Sequence, residues 1–138
     1  MNRHIVGGLT ALLLLVSACL LEPTTHVTGQ WGGRGVSLDV RQTDVQLRFV
    51  CSGAVASALP LDGDGHFEGT GRITSVSWAG PAPTIVQLSG IVSVDVMSLS
   101  VAEVWPPSGG QSDTIITHQS YTLQRGAAAD FNGYGCLQ

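Results

Sequence analysis

The chain has 138 residues, which is room for one domain and too little for two. Only 12% of residues are charged, 43% are hydrophobic and 18 are Gly, a balance that excludes wholesale disorder and favours strands joined by tight turns over long amphipathic helices. All six basic residues are Arg, which excludes lysine-based Schiff-base and phosphate-loop chemistry. A net charge of −4 with scattered Arg also lacks the concentrated positive patch that nucleic acid requires.

Residues 1–19 read MNRHIVGGLTALLLLVSAC. Arg3 supplies a short positive region, Ile5 to Val16 an apolar run, and Ser17 and Ala18 the small residues that precede a cut. The run is too short to span a bilayer as a helix, which takes about 20 residues. An ordinary secretory signal would satisfy this much. The string Val16-Ser17-Ala18-Cys19, however, resembles the lipobox of bacterial lipoproteins, in which cleavage leaves the Cys at the mature N-terminus and fatty acyl chains such as palmitate anchor it. That resemblance implies a signal peptide over 1–18 and a lipid on Cys19. It also implies a bacterial envelope address, with the membrane as a partner. Leu20 rather than Asp follows the Cys, which implies the outer membrane in a Gram-negative host, the domain facing the periplasm or the surface. The segment 19–28 is then a tether, and eight or nine extended residues reach at most roughly 30 Å. The processed chain has five Arg and ten acidic residues, a net of −5.

Three Cys in an exported chain leave one over. Lipidation of Cys19 removes the oddness and leaves Cys51 and Cys136 to pair in an oxidising compartment. Two unpaired buried thiols are the competing reading. Zinc is disfavoured because no CxxC or HxxxH spacing is present.

From Gly29 to the C-terminus the pattern is period two, and residues 29–138 read as a single all-β domain. Val36, Leu38 and Val40 alternate with Ser37, Asp39 and Arg41; after the polar loop Gln42-Thr43-Asp44, the residues Val45, Leu47, Phe49 and Cys51 alternate in the same way. Further strands are expected at Gly53–Ala56, His66 to about Val76, Thr84–Val92, Val96–Val104 and Asp113–Gln124, with a closing strand at Asn132–Leu137. Seven or eight antiparallel strands with hairpin connections predict an up-and-down, meander β-barrel, with a β-sandwich as the alternative. In a barrel, Cys136 on the last strand would lie beside the early ones, and the disulfide would staple the seam. An eight-stranded barrel is just wide enough to fill with side chains or to hold one small ligand.

Gly29-Gln30-Trp31 looks like the GxW opening of lipocalins and avidins, where the Trp packs across the closed end of a barrel. Trp31 as an ordinary large core residue fits the same barrel. More widely, the spaced pattern GQWGGRGVSLDV, LRFVCSGAV, LDGDGHFEGTG, VMSLSV, YTLQRG and GCL is similar to small uncharacterised bacterial lipoproteins, a likeness that implies fold and carries no activity.

No residue group declares a chemistry. Asp62-Gly63-Asp64-Gly65 has the opening of a calcium loop, but Ile73 stands where its closing Glu belongs, so it reads as a tight turn. His26, His66 and His118 share no ligand spacing and read as exposed. No Ser lies in a GxSxG setting. Trp78 and Trp105 flank the Gly/Pro-rich loops WAGPAP and WPPSGG, where aromatic residues at a barrel mouth serve recognition. Capping the core from the loop ends is the alternative. The expectation is a non-enzymatic, lipid-anchored binding or envelope protein without cofactor or metal, its partner a small apolar ligand or an envelope protein. An interior cavity lined by Trp31, Phe49, Met97 and Tyr121 would favour the small ligand. A periplasmic inhibitor of a protease or lysozyme-like hydrolase is the second reading, by likeness in size and address. A small hydrolase is the third.

Overall fold

The computed structural model describes residues 25–107 and 114–136, and these contain strands and turns with no helix. The strands are β1 (Gly29–Gly33), β2 (Val36–Val40), β3 (Asp44–Phe49), β4 (Ser52–Ser57), β5 (His66–Val76), β6 (Ile85–Ser93), β7 (Val96–Trp105) and β8 (Ile115–Arg125). Each pairs antiparallel with the next, and β8 returns to β1 through Trp31↔Arg125, Gly32↔Gln124 and Gly33↔Leu123. The result is a closed eight-stranded meander barrel. The sandwich is excluded, because one continuous ladder leaves no second sheet to pack.

Alternation decides what lies inside. The register Val36↔Phe49, Leu38↔Leu47 and Val40↔Val45 sets the apolar residues of β2 and β3 on one face and Ser37, Asp39, Gln46 and Arg48 on the other. A one-residue slip would expose all of them, so burial pins the pairing. Trp31, Leu38, Val45, Val86, Met97, Leu99 and Leu123 fill the interior at 0–1% exposure.

A meander gathers alternate hairpins at the same end. One end receives the chain's entry, the β2–β3, β4–β5 and β6–β7 connections and the end of β8. This end is shut. Val27 is 1% exposed and its amide donates to the Leu59 carbonyl at 2.9 Å, while the Leu61 amide donates to Thr25 at 2.7 Å. The last residues of the expected tether therefore belong to the domain. Above them the Trp31 indole donates to the Thr28 carbonyl at 2.8 Å, and the Arg125 guanidinium lies 4.3 Å over the Trp31 ring while pairing with Asp95 at 3.2 Å.

The C-terminal segment corrects one expectation. No strand forms over Asn132–Cys136; Leu137 lies outside the described residues. Instead, residues after Arg125 run up the outside of β1. The Gly126 amide donates to Gln30, Asp130 donates to Gly33, and Gly35 donates back to Asp130. A Cβ on Gly32 would collide with the Ala127 backbone, so Gly32 leaves a channel for this strap, while Gly33 lets the Thr122 carbonyl of β8 come close. Cys136 then joins Cys51 with 5.4 Å between their Cα atoms. The disulfide forms as expected, but it pins the strap to the β3–β4 turn and does not staple the seam. Cys51 itself lies just past β3, where the turn takes it off the inward row.

Candidate functional site

Among the described residues, the end opposite the chain's entry is open. Its construction shows on β7 and β8, which pair from Val96↔Gln124 to Trp105↔Ile115. Met97, Leu99, Val101 and Leu123 point inward and are buried. The same parity continues toward the mouth to Glu103 and Trp105 on β7 and to Tyr121, Gln119 and Thr117 on β8. The inner wall thus changes from aliphatic to polar and aromatic near the rim.

These side chains bond to one another. The Trp105 indole donates to Thr117 Oγ1 at 3.3 Å, and the Thr117 hydroxyl donates to Glu103 Oε2 at 3.4 Å. The Tyr121 hydroxyl donates to Gln119 Oε1, and its ring lies 6.0 Å from that of Phe49. Burial, then the negative charge of Glu103 and the neighbouring Tyr134, push the Tyr121 phenol up to about 12. It is a neutral donor at physiological pH.

Trp78 and Trp105 are 27 residues apart in sequence yet meet at the rim, with ring centroids 6.3 Å apart and planes 25° from parallel. Trp78 is fixed from its loop by an indole bond to the Pro81 carbonyl at 2.9 Å. Both are half-buried. Together they form a paired lip.

Beside them lies a recess of about 550 Å³ whose walls include Arg34, Phe49, Trp78, Glu103, Gln119 and Tyr121, with Tyr134 of the strap at its edge. Arg34 stacks over the Tyr134 ring at 5.6 Å. The recess exists because the wall is uneven. The strands β1–β4 have five or six residues, whereas β5–β8 have nine to eleven. Since β8 pairs with β1 only at Leu123–Arg125, residues Ile115–Thr122 have the β7 ladder on one side and no ladder on the other among the described residues, although β2 approaches β8 beyond the end of β1. The barrel has a notch, and the recess opens into it.

The expected interior cavity divides. Phe49 and Tyr121 line the recess, whereas Trp31 and Met97 belong to the packed core at 1% and 0% exposure. The sequence pattern singles out Trp78 and Trp105 but not Glu103, Thr117, Gln119, Arg34 and Tyr134; the inward parity of β7 and β8 is the available signal for Glu103, Thr117 and Gln119, and Arg34 and Tyr134, in a turn and in the strap, have none.

The remaining candidates lie elsewhere. Asp62 Oδ1 accepts from the amides of Asp64 at 2.9 Å and His66 at 2.8 Å. The His66 amide leads in holding the Asp62 carboxyl below its ordinary range. Ligand atoms of Asp62, Asp64 and His66 come within 4.8 Å of one another, all exposed, and turn bonding accounts for that proximity. His26 is exposed at the closed end, bridged to Pro60, and His118 faces outward from β8 opposite Ala102. Cys19 and the segment 1–18 lie outside the described residues. No protein-family model, curated protein or solved structure matches this chain.

Proposed function

We propose that this is a non-enzymatic binding protein of the bacterial envelope, lipid-anchored at Cys19, whose site is the open end of the barrel. The observation that carries the reading is the inward row Glu103, Thr117, Gln119 and Tyr121 beneath the Trp78–Trp105 lip. The row offers hydrogen-bonding groups that stay accessible at the mouth, and the aromatic rim supplies contact area. A recess of about 550 Å³ falls in the range of ligand-sized clefts. The chain enters at the opposite end, so an anchor at Cys19 would aim the mouth away from the membrane, toward the periplasm or the surface in a Gram-negative host.

The test is a pull-down from envelope extract with the lipidated protein, read by mass spectrometry for small molecules and proteins together. A species retained by the native protein and lost from a Trp78→Ala/Trp105→Ala variant supports the reading; identical retention by both defeats it. An N-terminal peptide beginning at residue 19 without acyl mass would remove the membrane address.

The packed core around Trp31 and Met97 favours a macromolecular partner over a small apolar guest, and with it the second reading, inhibition of a protease or lysozyme-like hydrolase. Stoichiometric loss of hydrolase activity on titration would establish it.

A further inference from the structure

An eight-stranded barrel exists to abolish sheet edges, and this one keeps an edge. From Ile115 to Thr122, β8 is paired only to β7 among the described residues. At the strand rise of about 3.3 Å per residue, the unpaired stretch is roughly 25 Å long. Soluble proteins protect such edges with Lys, Pro, bulges or inward charges. The segment Thr114–Gln124 reads TIITHQSYTLQ, with no Lys, Arg, Asp, Glu or Pro. Its ladder to β7 is continuous over every residue from Ile115 to Gln124, with no bulge to twist it away. The space beside Gln119, Ser120 and Tyr121 is open, since these residues line the recess directly.

We infer that the free edge of β8 receives an extended peptide segment of a partner protein, which adds a strand to the barrel in the notch between β8 and the β1–β2 turn. The inference rests on the binding reading above and names the ligand class. Main-chain hydrogen bonds would supply affinity, and alternate side chains would face the recess beside Phe49, Glu103 and Tyr121. A single strand fits better than a second copy of this chain. The far side of the notch is occupied by Arg34, Gly35 and the Tyr134 strap, and another barrel's β8 would have to enter between them while carrying its own strap.

The experiment uses the folded protein, isotope-labelled, and a capped hexapeptide of alternating Thr and Val as the probe. Its control is the same peptide N-methylated at the alternate residues that would bond to β8. The probe is expected to shift the amide resonances of residues 116–122 and slow their hydrogen exchange. N-methylation should weaken binding at least about tenfold, since several hydrogen bonds are lost together. Equal binding of the methylated peptide, or shifts confined to other strands, would overturn the inference. So would protection of residues 116–122 that rises with protein concentration in the absence of peptide, because the edge would then belong to a second copy. If the probe fails while the Trp78→Ala/Trp105→Ala variant still loses an envelope ligand, edge pairing falls and the binding reading stands.

Discussion

The two ends of this barrel are made from the same eight strands and differ in nearly every physical respect. At the shut end, Val27, Trp31 and Leu59 are buried to 0–1%, and the Arg125 guanidinium over the Trp31 ring is held by Asp95. At the open end the inward row carries Glu103, Thr117 and Gln119, and the aromatic residues are half in solvent. The shut end holds the fold together. The open end has side chains that stability alone does not ask for, and those are where binding is to be sought.

The disulfide gives the sharpest challenge to that division, because it lies near the open end. Closing a chain separation of 85 residues should stabilise by about 4–5 kcal/mol in the chain-entropy account. Cys51→Ser with Cys136→Ser should lower stability by that amount in denaturant titration, with exchange rising first along the strap and the β3–β4 turn. A uniform loss of protection would show that the strap braces the whole barrel.

Trp31→Ala should cost about 3–5 kcal/mol, whereas Trp105→Ala should cost about 1 kcal/mol, most of it the lost stacking on Trp78. Parallel thermal unfolding of the two variants measures the contrast directly, and equal losses would erase it. The β6–β7 turn offers a gain. Val94 has φ of 54° at 82% exposure, and a β-branched residue there is strained. Val94→Gly should stabilise by about 1 kcal/mol, read as a raised Tm.

The smallest effect is a titration. Tyr121 ionises at about 12 when folded, against 10 for an unperturbed phenol. A raised folded value means the native state holds the proton more tightly, so this contribution is complete below pH 10 and is lost as pH rises toward 12. Alkaline unfolding should therefore begin in that window and be blunted in Tyr121→Phe. Phenolate absorbance should show Tyr121 ionising near 12; ionisation near 10 would mean that the recess is wetter than its geometry implies.

The barrel was legible wherever strands carry strict alternation over several residues, as in Val45, Leu47 and Phe49, because burial of one face specifies the pairing. The strap was not. Asn132-Gly133-Tyr134-Gly135-Cys136 has an aromatic and a half-cystine at strand-like spacing, but two glycines give it little to bury and no ladder holds it. Its course depends on Gly32, a hundred residues before Asn132, leaving room for it. The lip was half visible: each Trp announced itself beside a loop, but their meeting follows from alternate hairpins sharing an end. Glu103, Thr117 and Gln119 were visible only as a parity that stops being apolar, which becomes meaningful once the register with Met97, Leu99 and Val101 is known.

The strap's route has a practical corollary. Because it carries the chain from the shut pole back to Cys136 beside the recess, the described chain begins and ends at opposite poles. A purification tag or reporter fused behind Gln138 would start two residues from Cys136, beside the notch, and compete with whatever docks there. A bait built that way would hide its own quarry, whereas a handle placed ahead of Thr25 would leave the opening clear.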